Sequence, residues 1–193
     1  DGVIIARQRR NEKSKSACAE GCEPVDSLAP EILRRLEELG VPFQLYRHEA
    51  ADTMESCEAM PFAGPELTFC KNLLLCNRQQ TQFWYLLTPA RKPFRTSAVS
   101  KALGCSRLSF APEALLMSLM HTSAGSLAPF GLWYDARGVV QFAADRAVLG
   151  TPRIAFHPCD NTMTLVFEQN VFWEQVLPAL RHCLTWIEYT AEA

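Results

Sequence analysis

Leu67-Thr68-Phe69-Cys70-Lys71-Asn72-Leu73-Leu74-Leu75-Cys76 is an apolar run of strand length with one lysine set inside it. A second apolar run, Phe83 to Leu87, follows the polar break Asn77-Arg78-Gln79-Gln80. Two such runs around a short polar break predict a β-hairpin. Lys71 is its odd residue. An ammonium inside an apolar strand either snorkels to water along its own stem or meets an anion, and the residues alone leave both readings open.

On the N-terminal side, Ile32, Leu33, Leu36 and Leu39 recur at helical spacing from Pro30, with Ser27 as a cap, Gly40 as a stop and Pro42 beyond. Phe43 to Arg47 alternates and predicts a short strand. Thr53 to Met60 predicts a short helix capped by Thr53 or Asp52, and Pro61, Gly64 and Pro65 mark the loop that follows. On the C-terminal side, Thr96 to Leu103 predicts a helix closed by Gly104, and Arg107 to Phe110 a brief strand. Pro112 opens a helix through Leu115, Leu116, Leu119 and Met120. The loop Gly125-Ser126-Leu127-Ala128-Pro129-Phe130-Gly131 comes next. Leu132 to Tyr134 and Val139 to Phe142 then predict a second hairpin, turning at Asp135 to Gly138. Arg153 to Phe156 and Met163 to Phe167 predict strands flanking His157-Pro158-Cys159-Asp160-Asn161. The chain is expected to close in a helix from about Asn170 to Ile187, with Phe172, Val176, Leu180, Leu184 and Ile187 on one stripe. Strands and helices without a regular βαβ alternation imply an α+β fold with a mixed or antiparallel sheet.

The 193 residues, 48% hydrophobic and 21% charged, suffice for one globular domain with a substantial core. A net charge of −2 argues against broad coating of nucleic acid, though a partner gripped at one end is compatible with it. Residues 1–22 read as a flexible tail or linker, with Arg9 and Arg10 as candidate nucleic-acid contacts, and residues 23–193 as the domain. A chain that starts at Asp1 is expected to be a processed piece or part of something longer. Of eight cysteines, only Cys18 and Cys22 lie close together, and no CxxC occurs, so zinc-ribbon spacing is absent. The others sit mostly in apolar runs, where a free thiol packs as a small hydrophobe, and this points to a reducing, cytoplasmic compartment. No apolar stretch reaches transmembrane length and no signal-peptide pattern is present, so no membrane partner is expected.

The common chemistries fall away in turn. His48, His121, His157 and His182 form no HExxH pair, so a metal is not expected. A GxSxG elbow, a P-loop and a GxGxxG are all lacking. Cys70, beside Lys71 but in an apolar run, reads as a packed thiol. What remains is a lysine, a glycine-bounded loop that can present backbone N–H groups, and a His-Pro turn. The loop could equally be an ordinary turn, and His157 a structural histidine.

Four segments in order carry a resemblance: Lys71-Asn72-Leu73-Leu74-Leu75; Ser100-Lys101-Ala102-Leu103-Gly104 with Arg107-Leu108-Ser109-Phe110; Gly125 to Leu132; and Phe156-His157-Pro158-Cys159-Asp160-Asn161-Thr162. From about Val41 to Phe167 the chain resembles the YbaK-type aminoacyl-tRNA deacylases, and most closely their ProX-like prolyl-tRNA editing branch. Departures from the family pattern stand at Ala128 and Cys159. The resemblance implies a mixed, partly barrel-like β-sheet surrounded by helices, a pocket for the 3′ aminoacyl-adenosine of a tRNA, and no cofactor or metal. It implies that Lys71, Gly125 and His157 are catalytic: Lys71 meets the phosphate or holds the terminal nucleotide, the Gly125 loop offers backbone donors, and His157 limits the aminoacyl group by size. Asn72 supports Lys71, while Thr53, Ser126, Leu127, Ala128, Pro129, Phe130 and Asn161 are expected to bind substrate, Ser126 as a pocket residue and not a nucleophile. The implied reaction is hydrolysis of mischarged tRNA(Pro), with alanine favoured over cysteine on Phe130 and His157-Pro158, in trans or as a domain appended to prolyl-tRNA synthetase. Proofreading of this kind is useful because losing a methylene-sized contact discriminates by only about 1–3 kcal/mol. The implied partners are the acceptor end of tRNA(Pro) and prolyl-tRNA synthetase. A catalytically silent module that binds tRNA or a synthetase is the alternative.

Overall fold

The computed structural model describes residues 4–5, 27–51 and 53–191. Arg9, Arg10, Cys18, Cys22, Asp52 and most of the expected 1–22 tail lie outside the described residues. In chain order the elements are β1 (Ile4–Ile5), α1 (Ala29–Glu38), β2 (Gln44–Arg47), α2 (Met54–Glu58), β3 (Leu67–Asn77), β4 (Phe83–Pro89), α3 (Thr96–Leu103), β5 (Leu108–Phe110) and α4 (Glu113–Met120). Two 3-10 turns, Ala124–Ser126 and Pro129–Tyr134, precede β6 (Val140–Asp145). After β7 (Arg153–Phe156) and β8 (Met163–Glu168) comes α5, residues 169–179, and the last element is β9 (Leu184–Ile187).

The helices form where caps and apolar spacing coincide. In α1, Pro30 sits in the first turn, Ile32 and Leu36 are buried one turn apart, and Glu31–Arg35 and Arg34–Glu38 pair on the outer side. Ser27 lies one residue outside the cap position. Its hydroxyl accepts from the Ala29 N–H at 3.3 Å and donates to Asp160 Oδ2 at 2.8 Å. Thr53 caps α2 by accepting from the Ser56 N–H. Gly104 ends α3 in the left-handed region, with φ of 64°.

The strands form one mixed sheet in the order β1-β2-β8-β7-β3-β4-β6-β9, with β5 paired to β3 off that path. The path has two ends, so the sheet is open and not a closed barrel. The expected hairpin is β3 with β4, in antiparallel register from Cys70–Pro89 to Cys76–Phe83. The other edge of β3 is divided. Leu67 to Phe69 pair parallel with β7, and Leu75 to Asn77 pair antiparallel with β5. Among the described residues no strand covers that edge between them, and Lys71 and Asn72 lie in the gap.

Two sequence expectations are corrected. Leu132–Tyr134 is not a strand, so the expected hairpin with Val139–Phe142 does not form. Residues 129–134 make a 3-10 turn with Pro129 in its first turn, and β6 pairs parallel with β4 instead. Nor does the closing helix run to Ile187. Its middle is a π turn, Phe172–Val176, where the Leu177 N–H reaches back to the Phe172 carbonyl just before Pro178, which has no N–H to give. Arg181 then adopts φ of 57°, and β9 runs parallel to β6. Both errors share a cause. Leu132-Trp133-Tyr134 has strand-like composition, and Leu184 and Ile187 bury their side chains whether the backbone is helix or strand.

Phe130, Phe142, Phe156, Phe167, Phe172 and Tyr85 are all buried and form the aromatic centre of the core, packed between the sheet and α1, α4 and α5. Among the described residues no helix is long and apolar enough to cross a membrane.

Candidate active site

The break in β3's outer ladder organises the site. On the β4 side the Phe69 carbonyl accepts from the Ala90 N–H, and on the opposite side the Leu74 carbonyl accepts from the Ala111 N–H at 2.8 Å. Peptide groups alternate sides along a strand, so Asn72, two residues before Leu74, directs its own N–H and C=O into the gap. The Asn72 side chain stiffens this opening. Its Nδ2 donates to the Cys70 carbonyl at 3.2 Å, and its Oδ1 accepts from the buried Tyr85 hydroxyl at 2.5 Å. Burial, with smaller contributions from Cys70 and Cys159, raises the Tyr85 pKa well above the usual phenol, which keeps it a donor.

Lys71 does not snorkel free, and among the described residues no carboxylate pairs with it. Its Nζ donates to the Lys92 backbone carbonyl at 2.8 Å and is half-buried at the gap. An ammonium has three donors, so two stay available. The Lys92 side chain in turn meets Asp145 Oδ2 at 2.5 Å. Asp145 is fully buried, accepts from Thr88 Oγ1 at 3.3 Å, and caps the turn after β6 through the Ala147 N–H. A chain of polar contacts therefore runs from the core to the site lysine.

His157 stands just past the end of β7, on the other wall. Its Nδ1 lies 2.7 Å from the Met163 carbonyl, which can only accept, so Nδ1 carries the proton. Nε2 is then the lone-pair nitrogen, and it faces the Cys57 thiol at 3.7 Å. Burial lowers the His157 pKa, with the Met163 carbonyl and Asp160 opposing and His48 adding to the effect. The ring is therefore a neutral wall at physiological pH. Burial also raises the Cys57 thiol pKa, so Cys57 stays protonated and donates toward His157. His48 sits behind, its Nε2 2.8 Å from Thr164 Oγ1 and its ring 6.0 Å from that of His157.

The glycine loop closes the site. Gly125 is exposed, and a Cβ built there would meet nothing within 4 Å, so the bare backbone faces open space. Gly131 differs, since a Cβ there would lie 3.0 Å from the Met120 side chain and from its carbonyl oxygen. That glycine is required by close packing on α4. Cys159, with φ of 56°, ties the His157 turn to this loop. Its sulfur is met by Thr122 and by the Ala128 and Gly131 backbone, yet burial dominates and pushes its pKa up to about 12.

These elements enclose a cavity of about 200 Å³ that brings together Thr53, Lys71, Asn72, Gly125, Leu127 and His157. The remaining expected residues lie elsewhere. Ser126 and Asn161 line a separate hollow of about 250 Å³ beside Asp160. Ala128, Pro129 and Phe130 are buried behind the loop, Phe130 as part of the aromatic core. In the hollow with Ser126 and Asn161, burial acts to raise the Asp160 pKa, but hydrogen bonds from Thr162 and Ser27 outweigh burial and lower it. Ala51, Cys57 and Phe69 line the cavity with Lys71 and His157 without having been singled out from sequence, and Tyr85 and Lys92 support it. Tyr85 and Lys92 come from β4 and the segment after it, while Ala51, Cys57 and Phe69 stand close to Thr53 and Lys71 in the chain but have no residue type or spacing that marks them. Among the described residues, no group of three His, Cys, Asp or Glu side chains could hold a metal ion. The arrangement offers a small cavity, a cation, backbone donors and a neutral imidazole, which suits binding an ester and stabilising an oxyanion.

Comparison with known proteins agrees with that chemistry. Residues 48–172 match the aminoacyl-tRNA editing domain. The chain is 26% identical over 135 residues to the prolyl-tRNA editing protein ProX of Acetoanaerobium sticklandii, covering 70% of this chain and 82% of that protein. In fold it is similar to a candidate trans-editing enzyme for prolyl-tRNA synthetase, with a TM-score of 0.64, 13% identity, and 83% and 96% of the two chains covered. It is similar also to a scaffold used for grafting linear epitopes, with a TM-score of 0.67, 12% identity, and 86% and 98% covered.

Proposed function

Since the chain belongs to the aminoacyl-tRNA editing family and is thus an aminoacyl-tRNA deacylase, we propose that it hydrolyses mischarged tRNA(Pro), with Ala-tRNA(Pro) as its main substrate. One observation carries this reading. The break in β3 holds Lys71, the Asn72 peptide, the Gly125 backbone and a neutral His157 around a cavity of only about 200 Å³. That is smaller than the roughly 300–1,000 Å³ of ordinary ligand pockets, and it suits a small aminoacyl group while its nucleoside stays outside.

In this mechanism water attacks the aminoacyl carbonyl, and the ester C–O bond breaks to leave the free amino acid and the ribose hydroxyl. The carbonyl oxygen becomes an oxyanion in the transition state. Backbone N–H groups at Gly125 and in the β3 gap are aimed at that charge, where one donor is worth about 2.7–4 kcal/mol. The two remaining Lys71 donors hold the ribose–phosphate edge of the terminal nucleotide. The neighbouring ribose hydroxyl lies beside the reacting ester and can orient the water. His157, held by Met163 and Cys57, sets the wall against larger aminoacyl groups. Phe130 acts only by supporting the loop from the core, so the choice of alanine rests on His157 and cavity size. The protein acts at the acceptor end of tRNA in the cytoplasm, in trans or joined to a prolyl-tRNA synthetase.

The test is release of amino acid from tRNA(Pro) charged separately with alanine, cysteine, serine and proline. Alanine is expected to be cleared fastest and proline to be spared. Lys71→Ala is expected to lower the rate on Ala-tRNA(Pro) by at least about tenfold, the effect of losing one charge-assisted contact. A protein that releases no amino acid above the spontaneous rate is a silent binding module. Preferential release of cysteine moves the specificity to Cys-tRNA(Pro).

A further inference from the structure

Behind the wall that His157 forms stands a second histidine. His48 follows β2, is half-buried and does not itself line the aminoacyl cavity. We infer that His48 is a positioning residue: through the Thr164 hydroxyl it keeps the proton of His157 on Nδ1 and the ring edge set against the cavity, and so governs how strictly proline is excluded. The inference rests on the deacylase reading above and adds to it a residue outside the cavity.

Three observations carry it. The first is the direction of the protons. His48 Nδ1 lies 2.7 Å from the Glu49 carbonyl, which can only accept, so in the neutral ring Nδ1 holds the proton and Nε2 the lone pair. That lone pair, 2.8 Å from Thr164 Oγ1, takes the one proton the hydroxyl has to give. Thr164 Oγ1, 3.5 Å from His157 Nδ1, is left as an acceptor. His157 Nδ1 thus faces two acceptors, the Met163 carbonyl at 2.7 Å and this oxygen as a longer second arm. Without His48 the hydroxyl is free to turn its proton toward Nδ1, which favours the other tautomer, with a proton on Nε2 where the Cys57 thiol now points. The second is burial. Thr164 is 1% exposed, so its hydroxyl depends on protein partners, and losing one there is costly. The third is attachment. The His48 N–H donates to the Thr162 carbonyl at 3.0 Å, the Ala51 N–H donates to the Asn161 carbonyl at 2.9 Å, and Tyr46 is the ladder partner of Thr164. His48 and the turn after His157 therefore share one frame, which is what a supporting residue needs to hold a wall in place. A histidine that merely packs at a strand end would need its shape and not its lone pair.

Two variants separate those roles. His48→Phe keeps a ring and loses the lone pair, and His48→Gln keeps an acceptor and loses the ring. The preference, the ratio of kcat/KM on Ala-tRNA(Pro) to that on Pro-tRNA(Pro), is expected to fall about tenfold in His48→Phe, the low end of what one pocket contact discriminates, and to stay within about twofold of the wild type in His48→Gln. Nitrogen-15 NMR of the His157 ring supplies a readout that packing alone would not move. The Nδ1–H tautomer is expected alone in the wild type and in His48→Gln, and mixed with Nε2–H in His48→Phe. A preference kept in His48→Phe and lost in His48→Gln makes His48 a packing residue and overturns the inference, and so does an unchanged preference in both. If both variants lose it, the tautomer decides: a mixture in His48→Phe upholds the inference, and one tautomer in all three proteins overturns it. A wild type that clears alanine and proline alike overturns the claim about proline. If the wild type releases neither amino acid, the deacylase reading is what fails, and the NMR comparison alone decides whether His48 positions His157.

Discussion

Gly125 and Gly131 bound one loop, yet they are glycines for different reasons. At Gly131 an added methyl would press on the Met120 carbonyl, which cannot swing aside, so Gly131→Ala is expected to cost about 1–3 kcal/mol of stability. At Gly125 the methyl meets no protein atom and points into space beside the aminoacyl cavity. Gly125→Ala is therefore expected to keep the wild-type melting temperature and lose most deacylation, so melting and turnover measured on both variants should separate the two roles. His157 supports a pH prediction. Burial lowers its folded pKa below the ordinary 6.5, so in the range just under that value the unfolded chain binds the extra proton first. The contribution of this residue is intact above the unfolded value and is lost as pH falls toward the folded one. The wild-type melting temperature should fall more steeply than that of His157→Gln between about pH 7 and about pH 5.5. Parallel curves for the two proteins would refute the assignment.

At the scale of elements, α5 hands over to β9 through Arg181, with φ of 57°, and His182. His182 Nδ1 donates to the Leu180 carbonyl at 2.6 Å, and its Nε2 meets Asp135 Oδ2 at 3.2 Å. The same carboxylate oxygen accepts the Val140 N–H at 2.7 Å, where β6 begins. Both side chains are nearly inaccessible, so this contact ties the start of β6 to the segment that leads into β9, beside their parallel ladder. Asp135→Ala is expected to destabilise by about 3–5 kcal/mol, as removal of one member of a buried pair does, with KM for the ester unchanged in the folded fraction. A denaturant midpoint equal to that of the wild type would contradict this. Legibility follows the same division between local and distant contacts. The β3–β4 hairpin, α1 with Ile32 and Leu36, and the Gly104 stop are legible because periodicity and turn chemistry are local. Lys71, Asn72, Gly125 and His157, named from the ordered segments that carry the resemblance, come together around one cavity. The parallel pairing of β6 with β4 and β9 is not legible, because parallel partners come from distant segments and leave no mark on either one. For the same reason Ser126 and Asn161 could be named from the correct loops and still face a different hollow.

For the whole molecule, the question is how a site in a sheet gap stays rigid when the gap removes the strand that would hold it. The polar chain from Asp145 through Lys92 to Lys71 answers it. Asp145 is fully buried at the end of β6, Lys92 is 22% exposed in the segment after β4, and the Lys92 carbonyl holds the Lys71 ammonium. The Lys92 ammonium also lies 4.2 Å from the Tyr189 ring centre, and the Tyr189 hydroxyl is 2.8 Å from Thr88 Oγ1, so the chain's last described segment joins the same cluster. Two roles for this cluster make different predictions. If it served stability alone, Lys92→Met with Asp145→Leu would restore both melting temperature and turnover, since apolar replacement of a buried pair is often neutral or better. If it fixes the carbonyl that aims Lys71, the double variant should recover most of the roughly 3–5 kcal/mol lost in Asp145→Ala, yet kcat should stay at least about tenfold low. The second outcome is expected, because the segment would then be free to shift, and a 1 Å displacement of a positioned group is enough for such a loss. Measuring melting and single-turnover deacylation on the two variants separates them, and full turnover in the double variant would assign the cluster to folding alone.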